Sequence, residues 1–184
     1  IAHNGEINTL KGNVNWMKVH EEEMFDSNYD NMENLKPVIP EGNSDSASLD
    51  NVFELLSMSG HSAPLTKLML IPDAWSKKSK ILPKNQLKLF NFLNSTMEPW
   101  DGPAALAGTD NEWVIAASDR NGLRPLRFTI TRDKLLFAGS ETGMVDLNEK
   151  KIIRKGRLGP GEIIGVRIET VSYTHLTLPT MLPV

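Results

Sequence analysis

The chain has 184 residues, of which 40% are hydrophobic and 23% are charged, a composition typical of a folded domain and not of a disordered segment. Its formal net charge of -3 argues against a nucleic-acid-binding surface, which would be basic. The chain contains no cysteine, which excludes disulfide bonds and thiolate metal sites, and no apolar run reaches the roughly 18–20 residues that cross a bilayer. We therefore expect one globular domain without a nucleic-acid or membrane partner.

The first half of the sequence has the apolar period of amphipathic helices. The clearest helix has four apolar residues at i, i+3, i+4 and i+7, which are Leu49, Val52, Phe53 and Leu56. One residue of Ser44-Asp45-Ser46 caps its start, and Gly60 ends it. Three further helices are predicted, over 14–25 with the glutamates at 21–23 turned to solvent, over 64–69 and over 86–93. The segment over 26–43 is rich in Asn, Asp and Pro and is predicted to lie on the surface.

From residue 104 onward the apolar period changes to two, which is typical of β-strands. Six short strands are predicted, over 104–108, 113–117, 126–130, 135–138, 152–155 and 163–168. Turn-forming pairs such as Asn121-Gly122 and Arg132-Asp133 separate them. Helices followed by a meander of strands indicate an α+β layered domain with a largely antiparallel sheet.

Other segments are interpreted from their composition. The tail over 170–184 is polar, contains proline and differs in composition from the predicted strands before it. We interpret it as translated sequencing-adapter read-through and place the domain over 1–169. The basic run over 77–80 is interpreted as a solvated loop. The four histidines lack the spacing of metal ligands, so no metal site is predicted.

The strongest chemical signal is His3-Asn4-Gly5, close to the first residue. An Asn-Gly pair alone is typical of a tight turn. A glycine leaves its main-chain N–H unshielded, so an asparagine carboxamide beside it supplies a second donor, and two such donors can hold a carbonyl oxyanion. The chain starts without Met and contains no Cys. We therefore interpret the segment as half of an active site whose nucleophile lies upstream.

Two further polar motifs have both structural and chemical interpretations. The motif Ser44-Asp45-Ser46 suits a helix N-cap, and its carboxylate also suits a substrate ammonium in the same cleft. In the turn over 119–126, Arg120 and Arg124 suit ion pairs with Asp119 or Glu141. Salt-bridged turns are common and weakly diagnostic, so we favour a structural role for this turn.

Four motifs in the same order resemble the class II glutamine amidotransferase, or glutaminase, domains of glutamate synthase large subunits. They are HNGEINTLKGN over 3–13, SDSASLD over 44–50, EPWDGP over 98–103 and DRNGLRP over 119–125. The resemblance covers residues 1–169 and implies an N-terminal nucleophile hydrolase fold. This fold is a four-layer αββα sandwich, of which the front strands and the nucleophile would be missing here. The implied reaction is hydrolysis of glutamine to glutamate and ammonia.

The resemblance also implies roles for individual residues. The side chain of Asn4 and the N–H of Gly5 would form the oxyanion hole. Asp45 would bind the α-ammonium of glutamine, with Ser44 and His3 in the same binding site. The nucleophilic cysteine, whose own α-amine serves as base, and an arginine for the α-carboxylate would lie upstream. The fragment would therefore be inactive alone.

For the intact parent, the resemblance implies FMN and an iron–sulfur cluster, and reductive amination of 2-oxoglutarate with the released ammonia. No cofactor is implied for the fragment itself. The implied partners are glutamine, the remaining synthase domains of the same chain, and a small reductase subunit or ferredoxin. The implied location is the cytoplasm, or a plastid in a photosynthetic eukaryote. Two alternatives stay open: a glutaminase domain that serves a phosphoribosyl or sugar-phosphate acceptor, and a non-catalytic module of the same fold.

Overall fold

The secondary structure follows the predicted order, with helices mainly in the first half of the chain and strands in the second. The computed structural model describes residues 1–25, 31–74, 82–168, 172–177 and 180–183, the last two segments as backbone. The α-helices are α1 (Leu10–Glu23), α2 (Asp45–Met58), α3 (Ala63–Leu70) and α4 (Lys84–Thr96). The strands are β1 (Ala2–Gly5), β2 (Ala104–Thr109), β3 (Trp113–Ser118), β4 (Arg127–Thr131), β5 (Leu136–Gly139), β6 (Ile152–Arg157), β7 (Ile163–Arg167), β8 (Ser172–Thr177) and β9 (Thr180–Pro183). The predicted basic loop over 77–80 lies outside the described residues.

The strands form two antiparallel sheets. The central sheet has six strands in the order β1-β2-β3-β7-β8-β9, and the small sheet has three in the order β5-β4-β6. The strand pairs of both sheets are antiparallel, which confirms the predicted sheet type. None of the helices in the described part of the chain is long and apolar enough to cross a membrane.

The central sheet packs on both faces because successive side chains of a strand point to opposite sides. On one face, Leu106 and Ile115 join a buried cluster with Phe53 of α2. On the other face, Ala116 packs in a second cluster with Phe128 of the small sheet. The described residues therefore form three layers, in the order helices, central sheet and small sheet. Burial of each large apolar side chain contributes roughly 1.5–3 kcal/mol relative to its exposure.

The sequence prediction is confirmed for α2 and corrected for α1. Helix α1 begins at Leu10, four residues before the predicted start, and Glu21 is not turned to solvent. Glu21 is only 8% exposed, because it lies four residues after the buried Met17 on the same helix face. Its Oε1 accepts a hydrogen bond of 2.8 Å from the N–H of Val38. Val38 and the residue after it are buried, so the predicted surface segment over 26–43 enters the core at this point.

The periodic pattern predicts neither β1 nor the strands of the tail. Four residues are too few to establish a period of two, yet β1 pairs with β2 in a register that sets Asn4 opposite Ala105 and Gly5 opposite Ala104. At the other side of the central sheet, β8 pairs with β7, and β9 pairs with β8. The domain boundary at residue 169 stays a prediction.

Candidate functional site

Two segments of main chain come into close contact where the chain leaves β1. Gly5 has a φ of 150°, and a Cβ atom at this position would overlap the carbonyl oxygen of Pro103. A Cβ atom at Gly102 would likewise overlap the carbonyl oxygen of Glu6. The N–H of Glu6 donates to the Pro103 carbonyl at 3.0 Å. Glycine at both positions therefore lets the antiparallel pairing continue beyond the end of β1.

The N–H of Gly5 points to the open edge of the central sheet. Main-chain N–H groups alternate sides along an extended strand. The Glu6 N–H faces the β2 side, and the Ile7 N–H faces the other way, where it donates to Asp45 Oδ2 at 2.9 Å. The Gly5 N–H lies two residues before Ile7, so it points to the same side as Asp45 and is roughly 7 Å from the Ile7 N–H along the strand.

Asp45, the first residue of α2, lies directly beside this edge. Its Oδ2 accepts from the Ile7 N–H, and its Oδ1 accepts from the Ser46 N–H at 2.8 Å. The Ile7 N–H contributes most to lowering the pKa of the Asp45 carboxyl group below its usual value, with smaller contributions from Ser46 and His3. The side chain is 24% exposed. An ionised carboxylate is therefore accessible at the sheet edge.

His3 links β1 to the first turn of α2. Its side chain is 1% exposed, and its Nε2 lies 3.3 Å from Asp45 Oδ2. Its Nδ1 lies 3.2 Å from the Oγ of Ser46. Because an ionised carboxylate only accepts hydrogen bonds, the ring nitrogen that faces it, Nε2, is the donor of this pair. Sequence reasoning missed Ser46 as a site residue, although it belongs to the quoted Ser-Asp-Ser motif.

The side chain of Asn4 lies on the opposite face of β1 from His3, as expected for successive strand residues. Its Nδ2 donates to the Oγ of Ser140 at 3.1 Å. Both residues line a cavity of about 420 Å³ between the two sheets, which neither Gly5 nor Asp45 lines. The structure therefore brings His3, Asp45 and the Gly5 N–H together at the sheet edge. The Asn4 carboxamide lies on the face of β1 that points toward the small sheet.

Ser44 occupies the N-cap position of α2, as the sequence predicts. Its Oγ accepts from the Ala47 N–H at 3.2 Å, and its carbonyl accepts from the Ser48 N–H at 2.9 Å. These contacts explain how the helix begins. The predicted contact of Ser44 with a substrate stays a prediction.

The turn after β3 is a second polar centre at the same end of the central sheet. Asp119 is 1% exposed and accepts hydrogen bonds from four main-chain N–H groups, those of Ala104, Asn121, Leu123 and Arg124. The ion pairs among the described residues include none between Asp119 and Arg120 or Arg124. The turn is thus held by main-chain donors, and the bond from Ala104 ties it to the residue opposite Gly5.

Lys67 of α3 lies beside this turn and is 1% exposed. Its Nζ donates to the Gly161 carbonyl at 3.0 Å. Burial lowers the pKa of Lys67 to about 7, although the negative charges of Asp73 and Asp119 act in the opposite direction. Sequence reasoning missed Lys67. The sequence feature that could have identified Lys67 as buried is its position on the apolar face of α3, four residues after the buried Ala63.

A larger groove lies elsewhere, on the outer face of the small sheet. It has a volume of about 890 Å³ and is lined by residues of β4 and β6 and by the loop over 141–147. It shares no lining residue with the cavity beside Asn4 and contains neither Gly5 nor Asp45. In residues 1–25, 31–74 and 82–168, no group of three or more His, Asp or Glu side chains is arranged to hold a metal ion. We therefore place the candidate site at the edge of the central sheet.

Comparison with known proteins gives an independent result. The family model described as "Glutamine amidotransferases class-II" matches residues 1–175. The chain is 56% identical over 171 residues to "Glutamate synthase [NADPH] large chain" of Azospirillum brasilense, covering 92% of this chain and 11% of that protein. It is 43% identical over 169 residues to "Ferredoxin-dependent glutamate synthase 2" of Synechocystis sp., covering 90% and 11%.

A eukaryotic relative gives a similar match. The chain is 44% identical over 166 residues to "Glutamate synthase [NADH]" of Saccharomyces cerevisiae, covering 89% of this chain and 8% of that protein. The chain thus spans about a tenth of the length of these relatives.

Proposed function

Because the chain belongs to the class II glutamine amidotransferases, we propose that it is the glutamine-hydrolysing part of a glutamate synthase. In the larger enzyme, the ammonia released from glutamine is used for the reductive amination of 2-oxoglutarate to glutamate. The observation that carries this proposal is the hydrogen bond from the Ile7 N–H to Asp45, which puts the carboxylate on the sheet edge to which strand alternation also directs the Gly5 N–H. The Gly5 N–H lies roughly 7 Å along the strand from the Ile7 N–H that binds Asp45, which suits a substrate with an amide at one end and an ammonium at the other.

Asp45 is proposed to bind the α-ammonium of glutamine. An ionised carboxylate accepts about four hydrogen bonds, two at each oxygen. Oδ2 accepts from the Ile7 N–H and faces His3, whereas Oδ1 accepts from Ser46. Oδ1 therefore keeps capacity for a charge-assisted hydrogen bond from an ammonium group.

Gly5 and Asn4 are proposed to stabilise the oxyanion. A cysteine thiolate from outside this chain attacks the amide carbon of glutamine, and the carbonyl electron pair moves to oxygen. The Gly5 N–H and one hydrogen of Asn4 Nδ2 donate to this oxygen, since the bond to Ser140 uses only the other hydrogen. The α-amine of the cysteine transfers the thiol proton to the leaving nitrogen, ammonia departs, and water hydrolyses the thioester to glutamate.

The proposal extends to the full architecture of the domain. A four-layer αββα sandwich requires a second helical layer, which would cover the outer face of the small sheet. The front strands, which carry the nucleophile, would lie beside the open edge of β1, where the Gly5 N–H points. The domain is proposed to end near residue 169, with residues 170–184 as a read-through segment outside it.

Cofactors, partners and location belong to the same proposal. FMN and an iron–sulfur cluster are proposed for the remaining synthase domains, not for this chain. The names of the relatives include NADPH, NADH and ferredoxin. Electrons are accordingly proposed to come from a small reductase subunit or from ferredoxin. The proposed location is the cytoplasm, or a plastid in a photosynthetic eukaryote.

Substitution of Asn4 by alanine in the full-length enzyme tests the proposal. Loss of one oxyanion donor typically lowers turnover by about 10²–10³, so glutamine-dependent synthesis should fall at least about 100-fold. Synthesis from added ammonia does not use the oxyanion hole and should persist. Steady-state kinetics with glutamine and with ammonium chloride measure the two activities separately.

Ser140→Ala is the matched control, because it removes the acceptor of Asn4 Nδ2 and keeps the carboxamide. We expect its glutamine-dependent rate to stay close to that of the unmodified enzyme. Unchanged glutamine kinetics in Asn4→Ala would contradict the proposal. An equal loss of glutamine- and ammonia-dependent activity would assign Asn4 a role outside glutamine hydrolysis.

A further inference from the structure

His3 is buried beside the proposed substrate carboxylate and is not itself accessible to a ligand, since its side chain is 1% exposed. We propose that His3 is a positioning residue that determines which oxygen of Asp45 receives the substrate ammonium. The inference rests on the proposed glutaminase function and goes further by naming the Asp45 oxygen that binds the ammonium. It replaces the expected direct contact of His3 with substrate by an action through Asp45.

The hydrogen bonds of the two Asp45 oxygens differ. Oδ2 accepts from the Ile7 N–H at 2.9 Å and has His3 Nε2 at 3.3 Å, which together use the two acceptor directions of that oxygen. Oδ1 accepts from the Ser46 N–H at 2.8 Å, a bond within the first turn of α2. One acceptor direction thus remains, and it belongs to Oδ1. The ammonium is therefore bound at Oδ1, provided that His3 keeps Oδ2 engaged.

The ring of His3 suits this role because it is fixed at both nitrogens. Nδ1 lies 3.2 Å from the Ser46 hydroxyl, so the ring is held at both nitrogens with Nε2 directed at Asp45. The carboxylate then has Oδ1 available for the ammonium of the ligand. A lysine in place of His3 would supply a competing ammonium.

A pair of variants in the full-length enzyme tests the inference. His3→Leu removes the donor and keeps an apolar side chain in the buried position, whereas His3→Gln supplies an amide N–H in its place. We expect His3→Leu to raise the glutamine KM about tenfold with kcat changed less than about twofold, since one hydrogen bond to a charged group is lost. His3→Gln should recover most of the lost affinity. A purely structural role would predict no such recovery and no separation of KM from kcat.

Asp45→Asn separates failure of this inference from failure of the proposed function. If Asp45→Asn raises the glutamine KM and His3→Leu does not, the positioning role is wrong and the proposed function stands. If neither variant changes KM, the proposed function is wrong as well. A fall in kcat at unchanged KM in His3→Leu would also overturn the positioning role.

Ser46→Ala gives a second measurement that does not alter the buried ring. It removes the hydroxyl that holds the His3 ring at Nδ1 and should raise the glutamine KM about two- to threefold, less than His3→Leu. If His3→Leu does not fold, as judged from its melting curve, this smaller shift decides the question. An unchanged KM in Ser46→Ala would then overturn the inference.

Discussion

Asp45 and Asp119 lie at the same end of the central sheet and accept main-chain hydrogen bonds, but their environments differ. Asp119 is 1% exposed and accepts from four main-chain N–H groups. The side chain of Asp45 is 24% exposed and accepts from two main-chain N–H groups, with His3 beside it. One carboxylate is saturated by the protein itself, and the other retains an accessible acceptor.

This contrast separates a structural carboxylate from one that can bind a ligand. Both residues lie in short polar motifs that contain other capping and turn-forming residues. Neither the residue type nor the motif length distinguishes their roles. The number of main-chain N–H groups that donate to each carboxylate distinguishes the two roles. A buried carboxylate whose acceptor sites are all used has none left for a ligand. Asp119 accordingly stabilises the turn, and Asp45 is the acidic group proposed to bind substrate.

The largest expected effect is on stability, in Asp119→Asn. The amide keeps one acceptor oxygen and presents an NH₂ group to main-chain donors, so about two of the four hydrogen bonds are lost in a buried site. We expect a loss of about 3–5 kcal/mol in the free energy of unfolding, measured by urea denaturation. Asp45→Asn is the matched control and should cost less than about 1.5 kcal/mol, because water reaches its side chain. Equal losses in the two variants would remove the distinction between the two aspartates.

The second expected effect is on affinity, and it concerns Asp45 alone. In the full-length enzyme, Asp45→Asn should raise the glutamine KM roughly 10–100-fold, because the ammonium loses its charged partner. The KM for added ammonia should not change. Ser44→Ala, which removes the helix-capping hydroxyl at the neighbouring position, measures separately whether Ser44 contributes to the glutamine KM. A normal glutamine KM in Asp45→Asn would show that this carboxylate only organises the start of α2.

The regular elements could be predicted because their periodic patterns are long enough to read. Helix α2 and the strands from β2 to β7 have such patterns, and the structure contains them with small shifts of their ends. Glu21 and Lys67 could not be predicted as buried polar residues. Their acceptor or donor partners, the Val38 N–H and the Gly161 carbonyl, lie 17 and 94 residues away in sequence. Only the folded chain brings these partners together.

The sequence selects the main residues of the candidate site, but it does not predict how they are arranged in space. The resemblance of the motifs selects Asn4, Gly5 and Asp45. The opposite orientation of His3 and Asn4 follows from strand alternation, but β1 is too short to be recognised as a strand from its period. The partner of Asn4, Ser140, is 136 residues away and lies in a part of the sequence without a chemical motif.

The smallest expected effect is a pH dependence that belongs to the Asp119 region and not to the Asp45 region. Lys67, which faces Asp73, Asp119 and the Gly161 carbonyl, has a folded pKa of about 7, below its ordinary value of 10.5. Between these two values the unfolded chain holds a proton that the folded chain does not. Stability should therefore rise with pH across this window, by at most about 1.4 kcal/mol per pH unit. Urea titrations at pH 7, 8 and 9 should show this slope, and Lys67→Met should lack it while Asp45→Asn keeps it. A slope that is equal in all three proteins would mean that Lys67 keeps its proton in the folded state, held by the two buried carboxylates.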